Sequence, residues 1–378
     1  MTFKKFAAVL LSAPLVAHAF VPQPPEIAAR SFVLIDYHSG ATLAAHGAGE
    51  RVEPASLTKL MTAYLTFKAV KEGKLRLDQT LTVSTQGWKT EGSRMFLDPK
   101  VPARVDDLIK GMIVQSGNDA CVTLAEAIAG NETVFAQLMN REAKRLGLSG
   151  THFTNSTGLP DPNLYTTTGD LARLASAIIR DFPEFYPIYS MKEFTYNGIK
   201  QPNRNLLLYR DPFVDGLKTG HTASAGFNLV ASTHRDERRL VSVVVGTASE
   251  QVRATESAKL LNWGVQFFET PRLYEANKPI STVPVWKGEL DSVQAGFREH
   301  RFITLPRGDA KKLKLDFTSH QPLIAPVRVG QKIGTLKVSV EGKVLGDYPV
   351  VALQNVEQAG IFGRAWDSIR LWLKKLFG

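Results

Sequence analysis

Apolar residues recur along this chain with two periods. Between residues 57 and 71, Leu60, Met61, Tyr64, Leu65, Phe67 and Val70 fall at helical spacing. Residues 106–113, 118–129, 134–146, 168–179 and 256–268 read as helices too. Strand signals bracket this helical middle. Ahead of it lie the apolar run 30–36 (RSFVLID), a His38-Ser39-Gly40 turn and a returning stretch at 41–45; behind it lie 227–231 and 240–246 (LVSVVVG). Strands early and late around helices predict an α+β, three-layer unit over residues 26–276, with its terminal strands in one sheet.

Near residue 277 the period becomes two. Leu313, Leu315 and Phe317 alternate with Lys312, Lys314 and Asp316; Leu336, Val338 and Val340 alternate with Lys337, Ser339 and Glu341; Gly342 supplies a turn. Residues 277–356 are expected to form a small all-β, sandwich-like domain. Residues 357–378 read as a separate amphipathic helix. At about 100° per residue, Ile361, Phe362, Ala365, Trp366, Ile369, Trp372, Leu373, Leu376 and Phe377 fill one arc of about 160°. Arg364, Asp367, Arg370, Lys374 and Lys375 lie opposite, with only Leu371 out of place. This segment is too short and too charged to span a bilayer, and its basic flank and aromatic face predict a helix lying in the interface of an anionic membrane.

The first residues change the picture of where the chain works. Lys4 and Lys5 precede an apolar run to Val16, and Ala17-His18-Ala19 fits a small-x-small cleavage site. Residues 1–19 therefore read as a secretory signal peptide. Export and a single cysteine, Cys121, suit a bacterial periplasm and exclude an intramolecular disulfide or a four-cysteine zinc site. The net charge of +10 favours an anionic partner: a membrane, a polyanionic wall or nucleic acid. Nucleic acid fits poorly, because the basic tract Lys311-Lys312-Leu313-Lys314 is short and lacks interleaved aromatics. His300 and His320 lie far apart, no H-E-x-x-H occurs and no Gly-rich phosphate loop is found, so neither metal nor cofactor is expected.

Three short motifs carry the chemistry. Ser56-Leu57-Thr58-Lys59 is S-x-x-K at a helix start, Ser116-Gly117-Asn118 is S-x-N entering another helix, and Lys218-Thr219-Gly220 is K-T-G in a strand-like stretch. Each alone is weak; together, in this order, they are specific. A serine hydroxyl needs a base to become a nucleophile. One helical turn brings Lys59 onto the same face as Ser56, and desolvation or a nearby cation such as Lys218 would destabilise its ammonium and free the neutral amine to act as base. Ser116 and Asn118 offer a hydroxyl and an amide for proton relay and peptide binding, and both favour helix caps. Gly220 lets a substrate backbone approach a strand edge.

These motifs occur together in class A β-lactamases and penicillin-binding proteins. The chain resembles the periplasmic D-alanyl-D-alanine carboxypeptidases of low molecular mass, most specifically over PASLTKLMTAY, SGNDAC, DGLKTGHTASAGFNLVA and RATESAKLLNW. The resemblance implies a β-lactamase/DD-peptidase-like catalytic domain. It implies that Ser56 is the acylated nucleophile, Lys59 its base, Ser116 a proton relay with Asn118 beside it, and Lys218, Thr219 and Gly220 a substrate-binding strand. By the same resemblance His221 supplies an oxyanion N–H with Ser56, and Arg253 holds the substrate's terminal carboxylate with Thr219. The implied partners are pentapeptide stems of peptidoglycan and, as covalent inhibitors, β-lactams. Residues 152–159 match the loop bordering the site, with Thr157-Gly158-Leu159 where some relatives have His-Gly-Leu. A DD-endopeptidase is the related alternative. A β-lactamase is disfavoured by S-G-N in place of S-D-N and by the additional β domain and terminal helix.

Overall fold

The computed structural model describes residues 21–377, with side chains through Leu373; the signal-peptide reading of residues 1–19 lies outside them. The strands β1 (Ser31–Asp36), β2 (Thr42–His46), β3 (Val214–Thr222), β4 (Gly226–Arg235) and β5 (Arg238–Thr247) form one antiparallel sheet in the order β2-β1-β5-β4-β3. The early and late strands thus meet at β1–β5, as the pattern predicts.

Alternation along these strands feeds two cores. Val33, Val230, Val241, Val243 and Val245 face helices α1 (Lys59–Lys71), α2 (Val105–Val114), α3 (Asn118–Ala129), α4 (Glu132–Arg145) and α5 (Thr168–Asp181). Their neighbours Leu34, Leu229, Ala231, Leu240 and Val244 pack on the other face against α6 (Glu250–Phe267) through Leu260, Leu261 and Trp263. Central strands buried on both faces explain why β5 reads as an apolar run interrupted only by Ser242. Helix α6 starts at Glu250, earlier than its spacing suggests, because Ser249 caps it by accepting from Val252 N. Its first turn is mostly polar, so periodicity does not register it.

The second domain is built on an antiparallel sheet of β6 (Pro279–Pro284), β7 (Ser292–Gly296), β8 (Leu313–Ser319), β9 (Lys332–Val340) and β10 (Lys343–Ala352), in the order β6-β7-β10-β9-β8. Val283, Val293, Phe297, Leu336, Val338 and Val350 form its core. Strand β8 is the edge, and its Leu315 remains exposed despite the alternation. Short ladders join Phe268–Glu269 to Leu305–Pro306 and Arg272–Tyr274 to Arg301–Phe302. A buried carboxylate closes the joint: Asp36 accepts from Thr270 Oγ1 at 2.6 Å and Arg238 Nε at 3.0 Å, while Ser39 Oγ lies 2.6 Å from Thr304 Oγ1.

The terminal helix, α7 (Ile361–Phe377), begins later than residue 357. Residues 357–359 instead pair with the chain at 287–289, through Glu289 N to Glu357 O and Ala359 N to Lys287 O, both 2.9 Å.

Candidate active site

The chain before α1 does not enter the helix directly. Ala55–Thr58 forms a 3₁₀ turn, in which positions i and i+3 eclipse. Ser56 and Lys59 therefore lie one above the other, with Nζ 2.9 Å from Ser56 Oγ. Lys59 is 1% exposed and also donates to Thr157 O at 2.6 Å. Burial lowers its ammonium pKa to about 8, and the Arg204 guanidinium adds to the effect. Lys218, equally buried, donates to Thr219 O at 3.0 Å; burial, then the nearby Lys59, push it well below the ordinary lysine value.

The second motif opens α3. Its Ser116 has φ +66° and a buried hydroxyl without a hydrogen-bond partner among the described residues. Asn118 Nδ2 donates to Glu91 O at 2.5 Å, leaving its Oδ1 unpartnered. The motif does supply the helix cap, but through Gly117 and without a side-chain bond rather than through Ser116 or Asn118. Both side chains keep free hydrogen-bonding capacity at the site.

Strand β3 lies at the sheet edge, so part of its backbone is open to an added strand. A Cβ on Gly220 would sit 3.0 Å from Pro54 O and 3.2 Å from Ser56 N. The chain that approaches Gly220 closely is thus the segment bearing Ser56 itself. Thr219 is buried, and the His221 ring stacks on Phe227 with centroids 3.9 Å apart. Arg253 is 2% exposed rather than a surface arginine. Its guanidinium lies 5.6 Å from the centre of the same Phe227 ring and donates to Arg204 O at 3.2 Å and Glu250 Oε1 at 3.1 Å. Burial pulls it below the ordinary arginine value, with Arg204 as a further cation beside it.

Two contributors escape sequence reasoning, Arg204 and Asp119, and a third, Gly158, is marked by sequence only as part of the bordering loop. Arg204 donates to Ser93 Oγ at 2.7 Å and sits among the charges felt by Lys59, Lys218 and Arg253. It lies in an irregular segment that no periodicity marks. Asp119, fully buried, accepts from Met95 N (3.0 Å), Leu97 N (3.1 Å) and Ala120 N (3.0 Å). An acid in a helix's first turn, directly after S-G-N, is the signal that could have found it. Gly158 has φ +85°, and a Cβ there would lie 1.8 Å from Ala55 O. Its neighbour Thr157 serves Lys59 through a backbone carbonyl, so a histidine in its place would leave that contact available. Cys121 is buried, its thiol pushed up to about 12 by burial, and is inert by that measure.

One Glu-x-x-x-Asn sequence, Glu193 to Asn197, lies between the second and third motifs. It belongs to an exposed hairpin in which Glu193 pairs with Lys200 at 2.7 Å. No deacylating role for it follows from that placement.

A serine against a buried lysine, beside a sheet edge in a three-layer domain, is the arrangement that class A β-lactamases and penicillin-binding peptidases share. Residues 18–249 match the model of the peptidase S11 family, D-alanyl-D-alanine carboxypeptidase, and residues 268–358 match the C-terminal domain of penicillin-binding protein 5. The chain is 44% identical over 364 residues to the D-alanyl-D-alanine carboxypeptidase DacC of Escherichia coli strain K12, covering 94% of this chain and 91% of that one. It is 44% identical over 360 residues to DacA of Haemophilus influenzae, covering 94% and 92%. The crystal structure of penicillin-binding protein 5 from Haemophilus influenzae superposes with a TM-score of 0.86 at 43% identity, over 89% of this chain and all of that one. The chain belongs to the S11 family of D-alanyl-D-alanine carboxypeptidases.

Proposed function

We propose that this cleft removes the terminal D-alanine from peptidoglycan pentapeptide stems through an acyl-enzyme on Ser56. The carrying observation is the buried Lys59 amine 2.9 Å from Ser56 Oγ, with a pKa near 8. In its neutral form Lys59 takes the hydroxyl proton as Ser56 attacks the carbonyl of the penultimate D-alanine. The N–H groups of Ser56 and His221 stabilise the oxyanion. Ser116, its hydroxyl unpartnered, passes a proton to the departing D-alanine amine, and Asn118 binds the peptide. Lys218, Thr219 and Arg253, with Gly220 in the edge strand, hold the peptide and its terminal carboxylate among cations that burial leaves poorly solvated. Water then releases the acyl group. A β-lactam acylates the same serine. The test is covalent labelling by a fluorescent penicillin together with an assay of D-alanine released from a pentapeptide: Ser56→Ala should abolish both, and a β-lactam adduct on that variant would overturn the assignment.

The same reading divides the chain into a signal peptide (1–19), the catalytic domain (26–276), the β domain (277–356) and a membrane-anchoring segment (357–378), whose helix begins at Ile361, on the periplasmic face of the inner membrane. Among the described residues no helix is long and apolar enough to cross a membrane. Helix α7 turns polar groups toward the β domain: Asp367 Oδ2 accepts from Lys287 N at 2.6 Å, and Arg370 lies over Trp286 at 5.7 Å. Its apolar side faces outward, with Phe362 92% exposed. Anionic lipid is the partner that this combination of charge and apolar face suits.

A further inference from the structure

Two residues with side chains hold left-handed backbone within the catalytic motifs or beside them, Ala55 (φ +47°) and Ser116 (φ +66°), and a third, Phe96 (φ +64°), follows Met95, whose N would lie 3.2 Å from a Cβ on Gly117 of the second motif. Elsewhere among the described residues such conformations have local explanations. Asn197, Asp236, Glu237 and Glu341 sit in hairpin turns, and Asn277 and Lys287 in irregular connections of the second domain. Ala55 precedes Ser56, and Ser116 belongs to the second motif. Phe96 is bulky, lies in no hairpin, and is of a residue type poorly suited to this conformation.

What holds it there is Asp119. The N–H groups on both sides of Phe96, those of Met95 and Leu97, donate to the two oxygens of that one buried carboxylate. Met95 and Leu97 are themselves buried, so the clamp leaves only the Phe96 ring outside, 48% exposed. Burying a carboxylate and straining an aromatic residue both cost stability, and such costs persist where the geometry is used. The same loop makes the cleft wall: Glu91 O holds the Asn118 amide, Ser93 O accepts Asn118 N at 2.7 Å, and Ser93 Oγ receives Arg204.

We propose that Phe96 is a specificity-determining residue, packing against the aliphatic side chain of the residue that precedes D-Ala-D-Ala in the stem peptide. This rests on the carboxypeptidase reading of the cleft. The cations Lys218, Arg204 and Arg253 suit the substrate's terminal carboxylate, to which an exposed aromatic ring offers nothing. The partner of the ring is the uncharged, extended part of the acyl-donor side. The contact excludes water from one face of that chain and lowers KM for long stems.

The experiment compares a stem pentapeptide with a short acyl-Gly-D-Ala-D-Ala in wild type, Phe96→Gly and Phe96→Ala. Glycine removes the ring and relieves the strain, whereas alanine removes the ring and keeps it. Both variants should lower the ratio of kcat/KM for the long over the short peptide by at least about fivefold, chiefly through KM. Melting temperature should not fall in Phe96→Gly. An unchanged ratio, or an equal loss on both peptides, overturns the proposal; equal loss would mean that Phe96 acts by shaping the loop around Asn118. Penicillin labelling of wild type runs alongside. A labelled wild type with an unchanged ratio removes the Phe96 contact alone, whereas an unlabelled wild type removes the carboxypeptidase reading and this inference with it.

Discussion

Lys59 carries a proton equilibrium that can be read in two ways. If its neutral amine is the base, acylation of Ser56 should rise with pH along a single limb centred near 8, the value to which burial lowers it. Stopped-flow acylation by a chromogenic β-lactam between pH 6 and 10 measures this, and a pH-independent rate would refute the role. The stability consequence has a definite sign. The unfolded lysine titrates near its ordinary 10.5, so between about 8 and 10.5 the unfolded state binds more protons, and stability contributed by this site rises with pH there. Lys59→Arg, charged at every working pH, should lose acylation although Ser56 is intact. Arg253 gives the second prediction at this scale. Amidating the substrate's C-terminus should cost about 1.5–3 kcal/mol in kcat/KM, the worth of a charge-assisted bond. Equal turnover of acid and amide would favour the endopeptidase alternative.

At the scale of elements, the site depends on loops packed against helix starts. Gly158→Ala should cost at least about 3 kcal/mol and abolish penicillin labelling, because its Cβ would penetrate Ala55 O at a backbone angle glycine alone takes easily. A variant with native melting behaviour and labelling would show that this contact yields freely. Asp119→Ala should destabilise by about 1–3 kcal/mol per stranded N–H and slow acylation, since Met95 and Leu97 lose their acceptor and the wall around Asn118 loosens. Calorimetry with the acylation rate checks both effects, and native values for both would remove the clamp. These two residues also mark how far the sequence could be read. Strands with Val-rich runs and helices with regular spacing were legible because burial imposes a period, and the S-x-x-K motif because its spacing of one turn is itself the geometry. Asp119 and Gly158 act through backbone atoms of segments distant in sequence, where no period exists. Arg204 reaches the cleft from a loop whose position depends on the folded sheet. The first turn of α6 escaped for a related reason, its residues being chosen for capping and for Arg253 rather than for an apolar stripe.

At the scale of the whole molecule, α7 poses a solvation problem that the described residues do not solve. Ile361, Phe362, Trp366, Ile369 and Trp372 are all more than half exposed, on a helix whose polar side is turned to the β domain through Asp367 and Arg370. In water such a face is unfavourable by about 25 cal/mol per Å² of apolar surface, and an aromatic-rich face belongs at a lipid interface. Because 357–359 pairs with the connection at 287–289 before the helix begins, the helix can be removed from residue 360 onward without opening the core of the β domain around Val283, Val293 and Val338. Deleting residues 360–378 should therefore release the enzyme from membranes with D-alanine release from a soluble pentapeptide unchanged. Full-length protein should sediment with anionic vesicles more strongly than with neutral ones, the difference shrinking as salt rises, because the basic flank adds an electrostatic share. A truncated protein that still sediments would place the anchor elsewhere in the chain, and a loss of peptidase activity on truncation would tie α7 to the fold rather than to the membrane.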